Sequence, residues 1–68
     1  MELTDFQREI IEHLIDDMGV GDVAKRMGKG RSAVSTQLQR ARDINGYKYN
    51  TAMAVKYAVD QALAQAAV

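Results

Sequence analysis

The sequence predicts a small all-α domain of four helices, and three observations carry that expectation. Proline is absent, and glycine falls at only three places: Gly19 with Gly21, Gly28 with Gly30, and Gly46. Between these breaks, apolar residues recur at helical spacing. At 68 residues the chain is read as one domain, 1–68, because two cores cannot be built from so little surface. The expected helices span approximately 4–18, 21–28, 31–45 and 51–66.

The first helix is expected to begin at Thr4, capped by its own hydroxyl, with Gln7 three residues on closing a capping box. Phe6, Ile10, Ile11, Leu14 and Met18 then form one apolar stripe, and acids cover the outer face. The second segment places Val23, Ala24 and Met27 on one side. It is too short to stand alone and must pack on its neighbours. In the third, Val34, Leu38, Ala41 and Ile44 are the expected buried positions. The opposite face then carries Ser32, Ser35, Thr36, Gln39 and Asp43, with Arg40 and Arg42 at its flanks. Gly46 suits a helix end, and the fourth segment, after Tyr47 to Asn50, is apolar nearly all round. Met53, Val55, Tyr57, Val59, Ala62 and Leu63 exceed what one side of so small a domain needs, so this helix is expected to pair two subunits.

Val23, Ala24, Met27, Gly28, Val34 and Leu38 are the pattern that two short helices need to cross at a tight turn, as in a helix-turn-helix. A small residue permits the close crossing, and a glycine ends the first helix. The turn position after that glycine is usually apolar, and here it is Lys29, followed by Gly30. A helix that enters the major groove touches bases with its first turns, while neighbouring cations grip phosphates. Arg31, Ser32, Ser35, Thr36 and Gln39 are therefore the expected base-reading residues, with Arg suited to guanine and Gln to adenine. Lys29, Arg40, Arg42 and Lys48 are expected on the phosphates.

Charge is divided along the chain although the total is zero. Residues 1–22 hold seven acids against Arg8, a balance of −6, and residues 23–48 hold seven cations against Asp43, a balance of +6. That division suits one basic surface for a polyanion and one acidic surface turned away from it. The alternative is that the two halves pair with each other.

Leu3-Thr4, Arg8-Glu9, Ile10-Ile11, Leu14, Val23-Ala24, Arg26-Met27-Gly28, Val34, Leu38, Gly46 and Thr51 stand in register with the LuxR/GerE-type DNA-binding domain, which the chain resembles from Leu3 to about Tyr57. Arg31 to Ser35 and Leu38 to Arg42 are also similar to sigma factor region four, but the segment after Gly46 favours the LuxR-type likeness. The resemblance implies a third helix in the major groove and a fourth that pairs subunits. The expected function is thus a small sequence-specific transcriptional regulator, a homodimer on double-stranded DNA. The rival expectation is an anti-activator that pairs with another transcription regulator and inactivates it. The sensory or phosphoacceptor domain usual in the family is not expected, since only two residues precede Leu3.

Other classes fit poorly. There is no Cys, and the single His13 lacks a second ligand at a convincing spacing, so neither a metal nor another cofactor is expected. One His cannot serve as base, acid and orienting group together, so the chain is read as no enzyme. No apolar run approaches 18 residues, and Met1 to Thr4 lack the character of a signal peptide, so a cytoplasmic protein is expected.

Overall fold

The computed structural model describes residues 1–66 and shows four helices: α1 (Asp5–Ile15), α2 (Val20–Met27), α3 (Arg31–Asn45) and α4 (Asn50–Ala66). α1 starts as the sequence dictates. Thr4 Oγ1 accepts from the Gln7 backbone N–H at 3.1 Å, and Gln7 Oε1 accepts from the Thr4 N–H at 3.0 Å.

The far end of α1 departs from expectation, because the helix stops at Ile15 and does not run on to Met18. Asp16 and Asp17 put two negative charges at the negative end of the helix dipole, and Asp17 turns the chain with φ +65°. That left-handed conformation is open to Asp at modest cost but not to a helix. Met18 leaves the helix yet still packs against the core from the turn.

α2 ends where Gly28 takes φ +65°, and the Lys29 N–H reaches back to the Ala24 carbonyl at 2.9 Å. α3 ends at Gly46 with φ +77°, and the Tyr47 N–H returns to the Arg42 carbonyl at 2.9 Å. Both are Schellman-type ends, in which left-handed backbone satisfies carbonyls the helix leaves over. Neither position would hold a side chain without strain.

One core holds all four helices together. Ile10 and Ile11 of α1, Val23 and Ala24 of α2, Val34, Leu38 and Ala41 of α3, and Met53 and Tyr57 of α4 are buried in it. Ile44 is not among them and is 60% exposed, against the expectation for the third helix. The spacing explains the correction. At 100° per residue, successive steps of three from Leu38 through Ala41 to Ile44 drift to one side, whereas a step of four from Ala41 returns to the stripe. Asn45 therefore holds the core-side position.

Asn45 uses that position to tie down the N-terminal segment. Its Oδ1 accepts from the Glu2 N–H at 2.7 Å, and its Nδ2 donates to the Glu2 and Ala41 carbonyls at 2.9 and 2.8 Å. Gln7, buried at the α1–α3 contact, donates from Nε2 to Gln37 Oε1 at 3.3 Å. On the α1–α4 side the Tyr57 hydroxyl donates to Glu12 Oε2 at 2.9 Å. Met53 and Tyr57, expected on the surface that pairs subunits, thus belong to the chain's own core. A helix apolar on every side gives periodicity no means of telling the inward face from the outward one.

Leu38 is 1% exposed and lies at the centre of the α2–α3 packing. Leu38→Ala is expected to cost about 2–5 kcal/mol, most of the roughly 3–10 kcal/mol available to a chain of this length. The exposed Ser35→Ala is expected to stay within about 0.5 kcal/mol of the parent. Urea denaturation followed by circular dichroism checks both.

Burial first, then the hydrogen bond to Glu12 and its negative charge, hold the Tyr57 phenol above its ordinary pKa. The unfolded chain therefore releases this proton more readily than the folded one. Stability from this group is complete below about pH 10 and is lost as pH rises through the folded value. Tyr57→Phe is expected to lower stability by about 0.5–1.5 kcal/mol at neutral pH and to give a shallower decline above pH 10. Denaturant titrations at stepped alkaline pH measure both effects.

Candidate nucleic-acid interface

The α2–turn–α3 unit places most of the predicted contact residues on one open surface. Val34, Leu38 and Ala41 turn inward, and that forces Ser32, Ser35, Thr36 and Gln39 outward; all four are exposed. None of the four side chains is engaged in a hydrogen bond to another residue among those described, so their hydroxyl and amide groups stand open to solvent. Arg31 opens the helix and folds back over α2. A methyl group at Gly21 would meet its Nε at 3.6 Å, an ordinary van der Waals contact, so the guanidinium lies against α2 at this position. Gly30 precedes α3 as its N-cap without a side chain to satisfy the first-turn N–H groups.

The four residues expected on phosphates are placed less uniformly. Lys29 is exposed in the turn, with Nζ 5.8 Å from the centroid of the Phe6 ring. That contact accounts for a lysine where such turns usually carry an apolar residue, since an ammonium is attracted to the ring's negative face. Arg40 is exposed beside Asp43 on an open groove between α1 and α3, and Ile44 and Phe6 also line that groove. Lys48 is exposed in the α3–α4 connection. Arg42 is half-buried and donates from Nη1 to Asn50 Oδ1, joining α3 to the first turn of α4. It sits on the opposite side of α3 from Arg40, as a separation of two residues requires. Both flank the face of Ser32, Ser35, Thr36 and Gln39, and Arg40 is the more exposed of the two.

The electrostatics of the surface follow from where ion pairs do and do not form. The described residues contain Arg8–Asp5 at 3.3 Å, Lys56–Asp60 at 2.8 Å and the His13–Glu9 contact at 4.0 Å, each within a single helix. Among the described residues, no ion pair joins the acids of positions 1–22 to the cations of positions 23–48. The two halves are therefore not consumed by pairing with each other. Lys25, Arg26, Lys29, Arg31 and Arg40 all stand exposed. A surface of this kind draws a polyanion by Coulomb attraction and counterion release.

Sequence reasoning missed the engagement of Arg42 with Asn50 and that of Gln37 with Gln7. For Gln37 a signal existed: it stands beside the inward stripe of α3, where a long polar side chain must find a partner. Among the described residues no helix is long and apolar enough to cross a membrane, and no three His, Asp or Glu side chains gather as metal ligands. The chain matches no protein-family model, no curated protein and no solved structure.

Proposed function

We propose that the protein is a small sequence-specific DNA-binding regulator of transcription, acting in the cytoplasm, in which α3 lies in the major groove. The observation that carries this reading is the unpaired cationic surface around the α2–α3 turn, set against a helix face of Ser32, Ser35, Thr36 and Gln39. Arg31 and Gln39 offer bidentate contacts to guanine and adenine, and the hydroxyls of Ser32, Ser35 and Thr36 adapt to either partner. Lys29, Arg40 and Lys48 hold the phosphates, and Arg42 supports the α3–α4 corner while keeping further N–H donors free.

Two copies act together through the outer side of α4. Val59 is 47% and Leu63 64% exposed, and all of residues 61–66 are exposed, so the last turns of α4 leave apolar surface open to solvent. A helix end with that composition gains stability by packing on another molecule. Val59 and Leu63 form this contact, and a symmetric dimer addresses two half-sites about 34 Å apart or a multiple of that.

On a DNA site selected from random duplexes, Arg31→Ala and Gln39→Ala are each expected to cost about 1–3 kcal/mol and to relax the preference at one base pair. Lys29→Ala and Arg40→Ala are expected to weaken all sequences alike and each to lower the salt slope by about 1. Fluorescence anisotropy between 50 and 200 mM salt, concentrations chosen to span the range where phosphate contacts dominate, makes the measurement. Unchanged affinity in both base-reading variants would overturn the assignment of α3.

Light scattering tests the assembly separately. The parent is expected at twice the mass of one chain, and Val59→Asp at the mass of one. A monomer in both cases removes the pairing role from α4 and leaves the DNA-reading role of α3 to stand on the binding data.

A further inference from the structure

The flank formed by α1 and α4 takes no part in the DNA reading, yet it holds open apolar surface. Two clefts run along it and share Ile15 and Ala58 as a common floor. One, of about 410 Å³, lies between Leu14, Met18 and Val55; the other, of about 590 Å³, lies between Glu9, Glu12, Asp16 and Ala62. They form one groove between the two helices, and no residue of α2 or α3 lines either part. Ile15 is 44% and Val55 57% exposed on this floor, and Ala58 and Ala62 are small enough to let another backbone approach closely.

One rim of the groove is acidic. Glu9, Glu12 and Asp16 line it and Asp17 follows in the turn. The only titratable side chain of opposite sign among them is His13, 4.0 Å from Glu9. Glu12 accepts from the Tyr57 hydroxyl, which leaves its charge intact, and Asp16 has no ion-pair partner among the described residues. We propose that this groove docks an amphipathic α-helix of a partner protein, with Leu, Ile or Met at helical spacing on one face and Lys or Arg beside them.

Charge selects this occupant over the others. The same carboxylates repel DNA and any anionic surface. A second copy offers the two requirements on different surfaces: α4 carries Val59 and Leu63 but its cation Lys56 is held by Asp60 at 2.8 Å, whereas the free cations of α2, the turn and α3 have Ile44 as the one exposed large apolar side chain of those elements. Neither surface brings a row of apolar side chains and free positive charge to the groove together. A basic amphipathic helix supplies both: its aliphatic side chains settle on Ile15, Val55 and Ala58, while its cations meet Glu9, Glu12 and Asp16. This is the helix-in-groove mode of recognition, with affinity from the apolar anchors and partner choice from the rim. Because the groove excludes α2 and α3, it is open while α3 is on DNA.

Titration of the isotope-labelled protein with an amidated peptide of about 14 residues, leucines at helical spacing and lysines elsewhere, tests the proposal by NMR. The expected result is saturable shifts centred on Ile15, Ala58 and Ala62 with a Kd in the micromolar range. No saturable binding is expected of the matching leucine–glutamate peptide. The double variant Glu9→Gln, Asp16→Asn spares the Glu12–Tyr57 hydrogen bond and is expected to weaken binding at least tenfold, as is Ile15→Asp. Three results each overturn the proposal: no saturation with the basic peptide, equal affinity in the double variant or in Ile15→Asp, and groove amides that shift on dilution of the protein alone. The last would show that a second copy covers the groove. None of these measurements involves DNA, so failure here is distinct from failure of the DNA-reading role.

Discussion

The close crossing of α2 and α3 governs where the remaining side chains of this domain are placed. Ala24 at the contact allows Val34 and Leu38 to come down on α2, and Gly28 with φ +65° turns the chain sharply enough to bring them there. Once those two residues face inward, the helical period sends Ser32, Ser35, Thr36 and Gln39 outward without any further instruction. The same crossing brings the Arg31 side chain over Gly21. Packing and presentation are therefore one property of the α2–α3 unit. A larger side chain at Ala24 would rotate or lift the exposed face as well as disturb the core.

So few buried side chains cannot by themselves hold four helices in fixed relation, and polar links take up part of that task. Gln7 closes its capping box and reaches Gln37, so one amide both starts α1 and joins it to α3. Asn45 pairs with the Glu2 backbone and anchors the N-terminal segment at the far end of α3. Tyr57 and Glu12 join α4 to α1. The Asn45–Glu2 pair is exposed, whereas Gln7 and Tyr57 are buried and would leave polar atoms unsatisfied without their partners. Their value is geometric: they fix the register of α1 and α4 against an α3 that is already held by α2.

The elements of the fold were legible wherever glycine and periodicity agreed. α3 has the predicted bounds because Gly30 and Gly46 bracket a stripe that begins unmistakably at Val34 and Leu38. The end of α1 was not legible, since Met18 continues the helical spacing while Asp17 leaves it, and spacing alone cannot detect a backbone reversal. Ile44 was misplaced by a step of three where the helix required four, and Met53 and Tyr57 by the lack of a polar side on α4. At the candidate site, the exposure of Ser32, Ser35, Thr36 and Gln39 could be read as the complement of the buried stripe. The contacts of Lys29 with Phe6 and of Gln37 with Gln7 could not, because they join residues 23 and 30 positions apart that only the tertiary fold brings together.

Neutral overall, the chain keeps its two opposite charge regions apart, and the helical architecture is the reason. Ion pairs on helices form most readily three or four residues apart, and here Arg8–Asp5 and His13–Glu9 lie inside the acidic region while Lys56–Asp60 lies beyond both regions. The acids of α1 face solvent on the α4 side, where they rim the groove at Glu9, Glu12 and Asp16. The cations cluster on α2, the turn and α3. Asp22, on α2 with Lys25 and Arg26, forms no ion pair with either, so the acids and the cations stay unpaired even where they share a helix. At ordinary ionic strength the Debye length is about 8–10 Å, so each surface acts on its surroundings largely unscreened by the other. A total charge of zero therefore says little about what each side of this domain attracts.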